Sequence, residues 1–175
     1  GSYNNRIEHN VIHDTNYPCI LTYSTVGNGG PNTIAGNLMY NCGDHAMQVA
    51  ADAVIENNIV LGANIDGIRS QPHQAGSPSN LIIRHNTVIA KNNNAIRVSG
   101  ASGSVVIANN ALYAQSGFAL RIGGDLSKVS TTGNVGTGNT EGVNNGFDSS
   151  GDITTDFISA SFQNTIANNV FPTPS

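Results

Sequence analysis

Three arginines carry the chemistry that stands out first in this chain. Arg69, Arg97 and Arg121 each follow an asparagine, Asn58, Asn86 or Asn110, by eleven residues. A guanidinium grips a carboxylate bidentately, so a column of arginines suits an acidic ligand. Like charges directly opposed across strands are destabilising, each by a few tenths of a kcal/mol to about 1 kcal/mol. Neighbouring carboxylates or a bound anion are therefore expected to offset the column. Asp44, His45 and Asp66 lie in the turns just before it, and Gln48, Gln71 and Tyr23 fall on the same strand face. His73 sits in the inserted loop 71–80, where an imidazole is suited to general acid or base work near neutral pH. Tyr23, Asp44, Gln48, Asp66, Arg69, Gln71 and Arg121 form the expected binding set. His45, His73 and Arg97 are the candidates for catalysis. The bland alternative is an exposed sheet face whose arginines pair with Asp66 and solvent, beside an exposed loop histidine.

A repeat must position these residues. Asn10, Asn37, Asn58, Asn86 and Asn110 each follow an isoleucine by three residues, and each precedes a large apolar residue by ten: Ile20, Met47, Ile68, Ile96 and Leu120. The interval between asparagines drifts from 21 to 28 residues, yet the internal frame holds. Such a period with short strands and polar turns marks a β-solenoid, in which residues at equal offset stack about 4.8 Å apart. Segments such as Leu81-Ile-Ile-Arg-His read as a first short strand, and Ile59-Val60 and its equivalents as a second. A third runs from offset nine to thirteen, with offsets ten and twelve inward and the arginine offset outward. The asparagine is expected to take the left-handed conformation of a corner, its amides stacking into a ladder.

The chain has 175 residues, enough for one domain with a core. Only 10% of residues are charged and the net charge is −4, so no basic surface for nucleic acid is expected. No apolar run approaches a membrane span. Regular coils are read over residues 4–124, a degraded coil and irregular segment over 125–163, and a terminal strand pair over 164–171, all in one domain. The repeat is running from its first residues, so an N-terminal cap is expected to be missing, as in a fragment. Open coil ends would then allow self-association. Cys19 and Cys42 stand nine and five residues after their asparagines, so stacking is not expected to join them, and the redox compartment stays open. His9 and His85 share an offset three coils apart and suggest no metal site. Asp148, Asp152 and Asp156 lack the spacing of a Ca²⁺ loop and read as solvated.

The phrases Asn5-Arg-Ile-Glu-His-Asn10, Asn32-Thr-Ile-Ala-Gly-Asn37 and Asn164-Thr-Ile-Ala-Asn-Asn169 resemble the Asn-x-Ile-x-x-Asn repeats of the right-handed parallel β-helices of the pectate-lyase-like superfamily. The resemblance implies an all-β fold, a right-handed parallel β-helix of about six to seven coils with three short strands per coil. It also implies that the arginine strand lies on the face where enzymes of that superfamily bind polysaccharide, and hence a secreted or cell-surface setting. Lyases of this kind use Arg or Lys as base, often with Ca²⁺ on clustered acids. Asp44 and Asp66 differ in offset and make only a thin Ca²⁺ site, so a Ca²⁺ requirement stays open. An inverting hydrolase would want an Asp cluster and an Asn-Thr-Asp phrase, both missing, which ranks hydrolysis below lyase or epimerase chemistry. The expectation is an acidic-polysaccharide lyase or epimerase. The alternative is a non-catalytic carbohydrate-binding, adhesion or structural module, or a piece of a larger enzyme.

Overall fold

The structure is a computed structural model that describes residues 2–25 and 29–149. The strand pair expected over 164–171 lies outside the described residues, as do Asp152 and Asp156. The first coil holds β1 (Arg6–Glu8), β2 (Val11–Thr15) and β3 (Ile20–Thr22). The second holds β4 (Asn32–Ala35), β5 (Leu38–Cys42) and β6 (Met47–Val49). The third holds β7 (Ala53–Glu56), β8 (Ile59–Ala63) and β9 (Ile68–Ser70). The fourth holds β10 (Leu81–Arg84), β11 (Thr87–Ala90) and β12 (Ile96–Ser99). In the fifth, β13 (Val105–Ala108) precedes one long strand, β14 (Ala111–Gly123), which spans both later positions. A 3-10 turn, Leu126–Lys128, leads to β15 (Val129–Thr132), β16 (Asn134–Glu141) and β17 (Phe147–Ser149).

All named strand pairs are parallel. Among the described residues, six first-position strands form one sheet in the order β1-β4-β7-β10-β13-β15. The second- and third-position strands form another, joined through β14. This is an all-β parallel solenoid of about six turns. Its core is built from stacked columns: Ile7, Ile34, Ile55, Ile83 and Ile107 stand in register on consecutive strands. The last four are fully buried, each worth roughly 1.5–3 kcal/mol over an exposed side chain. Met47, Ile68, Ile96 and Leu120 make a second column at offset ten.

The asparagine ladder is closed rung to rung. The Asn58 side-chain oxygen accepts both the backbone N–H and the side-chain amide of Asn37, at 3.0 and 2.9 Å. The Asn58 amide in turn donates to Asn86 and to the Ile34 carbonyl. The pattern repeats through Asn86, Asn110 and Asn134. At Asn134 it ends on the Gly146 carbonyl, because Phe147 occupies the next anchor position. A buried amide must find partners for both ends, and this arrangement supplies them at every rung.

Two expectations are corrected by the backbone and the cysteines. The anchor asparagines are not left-handed; the residue before each is. His9, Gly36, Asn57, His85, Asn109 and Gly133 have φ between 54° and 64°. The corner bends one residue early, and the anchors Asn37, Asn58, Asn86, Asn110 and Asn134 are buried. At Gly36 a side chain would also meet the His9 ring, 2.7 Å from a built Cβ. Cys19 and Cys42 form a disulfide, with Cα atoms 5.5 Å apart. Cys42 stacks on Thr15 in the coil below, and the turn after Thr15 folds Cys19 back beside it. Lateral contact across a turn, which stacking alone does not include, makes the pair.

Candidate functional site

The third-position strands carry the arginine column outward. Leu21, Gln48 and Arg69 stand in register, then Arg97 and Arg121. Glu141 follows on β16, paired with Arg121. Residues on either side of this column, such as Val49, Ile68, Ile96 and Val98, are fully buried, which pins the guanidinium-bearing face outward.

The three guanidinium groups differ in their partners. Arg69 Nη1 donates to Asp66 Oδ2 at 2.7 Å and Nε to Gln71 Oε1 at 3.0 Å, and Nη2 also donates to Gln71. Its side chain is only 12% exposed. Arg121 is held by Glu141, with Nε 2.9 Å from Oε2 and Nη2 3.3 Å from Oε1. It also lies 5.0 Å over the Phe118 ring. Arg97 lies between them and has no ion pair or hydrogen bond with its side chain among the described residues. Partial burial, then repulsion from Arg69 and Arg121, lowers its pKa from the ordinary arginine value, against weaker attraction from Asp66 and Glu141.

A second polar ladder runs beneath the column at offset eight. Asp66 donates its backbone N–H to His45 Nδ1 at 3.1 Å. Asp66 Oδ1 accepts from the Asn94 backbone and side-chain amides at 3.1 and 2.6 Å. Asn94 accepts from the Phe118 backbone N–H at 3.2 Å. Each side chain thus caps the backbone of the next coil. His45 and Asp66 are buried, and the lone pair that His45 would need as a base is spent on Asp66. Its proton then sits on Nε2, 3.5 Å from Asp44 Oδ1. Burial lowers the His45 pKa, assisted by Arg69 and Arg97 and opposed by Asp44 and Asp66. The rung Asn94 was missed in the sequence, although its shared offset with His45 and Asp66 was a readable signal. Glu141 was missed for a different reason: a register shift in β14 brings it onto Arg121 at an offset unlike that of any arginine.

The loop after β9 forms one flank. His73 pairs with Gly76 through both backbone groups, at 2.8 and 3.0 Å. Gly76 packs against Ala50 and the Tyr23–Ser24 backbone, and Pro72 packs on Gly100. The His73 and Tyr23 rings lie 4.8 Å apart, with Tyr23 42% exposed. Three polar atoms of this region, sealed from solvent, have no hydrogen-bond partner among the described residues: Asp44 Oδ1, Gln48 Nε2 and His73 Nδ1. Gln48 and Arg69 are neighbours in register, and Asp44 and Asp66 are both within reach of His45. Tyr23 and His73 are brought together at the flank. Among the described residues, no group of three or more His, Cys, Asp or Glu side chains is placed to hold a metal ion. No helix among them is long and apolar enough to cross a membrane.

The family described as right handed beta helix region matches residues 1–112. The chain belongs to the right-handed β-helix family. Comparison with curated proteins and with solved structures finds no match. In this β-helix the match spans the first four coils and the start of the fifth. It therefore covers the Asp44–His45–Asp66 turns, Arg69, Arg97 and the 71–80 loop. Arg121 and Glu141 lie beyond it.

Proposed function

We propose that this β-helix binds an acidic, uronate-containing glycan along its arginine strip, with Arg97 receiving a carboxylate. One observation carries the reading: Arg97 is a half-buried guanidinium with two cationic neighbours and, among the described residues, no ion-pair partner of its own. Such a group gains most from an added carboxylate, because the new pair relieves repulsion as well as forming hydrogen bonds. An extracytoplasmic setting belongs to the proposal and is supported by the disulfide, which persists in oxidising compartments.

A second reading, lyase or epimerase action, draws on the placement of Arg97 between two further guanidinium groups without a side-chain partner among the described residues, where partial burial and repulsion lower its pKa. A base would take the proton beside the uronate carboxylate. In elimination the freed electron pair forms a C–C double bond, and the glycosidic oxygen departs with its bonding pair and takes up a proton from the protonated base or from water. In epimerisation the proton returns from the other face. With His45 committed to Asp66, the bases left are Arg97 and His73. Binding is placed first because Arg69 and Arg121, the neutralising groups such a step needs, are already paired. Titration with alginate, pectate, glycosaminoglycan and neutral glycans tests both readings, with ultraviolet absorbance reporting any unsaturated product. Saturable binding of an acidic glycan without absorbance supports the first reading. Absorbance that grows with enzyme supports the second. No preference for acidic over neutral glycans overturns both.

A further inference from the structure

We infer that the strip reads one isolated acidic sugar flanked by neutral ones, and not a run of uronates. The inference rests on the acidic-glycan reading above and narrows its substrate class.

Three guanidinium groups line the column, and among the described residues the middle one alone has no side-chain partner. Arg69 is closed by Asp66 and Gln71, and its side chain is nearly buried. Breaking that pair would strand the Asp66 carboxylate, itself 1% exposed, without its cation. Arg121 is paired with both oxygens of Glu141 at an exposed position. The rungs lie about 4.8 Å apart, close to the length of one sugar in an extended chain. A polyuronate centred on Arg97 would bring its next carboxylates against already neutralised arginines, beside Asp66 on one side and Glu141 on the other. That arrangement repels.

Beyond Arg69 the column offers nothing that favours a second carboxylate. Gln48, an uncharged amide, stacks in register next to Arg69, so no cation continues the column on that side. The Asp44 side chain, 32% exposed in the turn before Gln48, adds a negative charge that opposes a second acidic sugar. The exposed Tyr23 ring beside His73 offers a flat face for a pyranose. Along the axis the column reads amide, closed cation, open cation, closed cation, carboxylate. Glu141 occupies the place that the next acidic sugar would need.

The test is calorimetric titration of wild-type protein with three trisaccharides: a central uronate between neutral hexoses, a triuronate, and a fully neutral control. The single-acid ligand is expected to bind at least about tenfold tighter than the neutral one and no more weakly than the triuronate. The Glu141→Gln variant, which opens Arg121 at an exposed position, is expected to improve the triuronate by about tenfold relative to the single-acid ligand. A wild-type protein that binds the triuronate more than about tenfold tighter than the single-acid ligand overturns this inference and leaves the acidic-glycan reading intact. Equal binding of all three ligands overturns the acidic-glycan reading itself.

Discussion

The Asp66 carboxylate contacts the Arg69 guanidinium at 2.7 Å while its other oxygen accepts two hydrogen bonds from Asn94. One buried acid thus ties the arginine strip to the polar ladder beneath it. Removing it leaves a nearly buried cation and two unbonded amides. Asp66→Ala is expected to lower unfolding free energy by roughly 3–5 kcal/mol, the cost of breaking a buried pair on one side. Urea denaturation measures it.

Arg97 makes no comparable contact, so Arg97→Ala is expected to leave stability within about 0.5 kcal/mol, or to raise it slightly by relieving repulsion. Acidic-glycan binding should fall by at least about tenfold in the same protein. Calorimetry and denaturation on one preparation separate the two effects. A variant that binds as well as wild type removes Arg97 from the site.

The asparagine ladder should be unequal along its length. Asn86 makes side-chain bonds to Asn110, Ile55 and Arg84, and its oxygen accepts two from Asn58. Asn86→Ala strands several buried groups and is expected to cost at least about 3 kcal/mol. Asn10, exposed at the end of the described ladder, should cost less than about 1 kcal/mol on the same change. Comparable costs at both positions would contradict the view that burial makes the ladder matter.

Stability should also fall with acid before the carboxylates titrate. His45 is held neutral in the folded protein, its pKa pushed below the ordinary 6.5 chiefly by burial. The unfolded chain therefore takes up the proton first as pH drops. The contribution is intact above pH about 6.5 and is lost as pH falls from there toward the lower folded pKa. Melting temperature between pH about 7.5 and 5.5 should decline in wild type and decline less in His45→Gln. An unchanged slope in the variant assigns the effect elsewhere.

The disulfide closes a segment of sequence separation 23, so its removal by Cys19→Ala with Cys42→Ala is expected to cost about 3 kcal/mol. Thiol titration of the denatured, unreduced protein should find no free cysteine. Two titrating thiols would refute the pairing.

The sequence by itself determined the period, the stacking of equal offsets and the inside–outside alternation. These follow from one local rule: a strand alternates faces every residue, and a constant frame sets identical offsets above one another. The arginine column, the buried isoleucines and the asparagine ladder were all legible on that basis. Only the tertiary structure decided which arginine is open, because that depends on Asp66 and Gln71 reaching sideways and on Glu141 arriving through a register shift. Tertiary structure also decided the Cys19–Cys42 bond and the spending of His45 on a backbone amide. Each is a contact across a turn or between unequal offsets, where the repeat carries no information about distance.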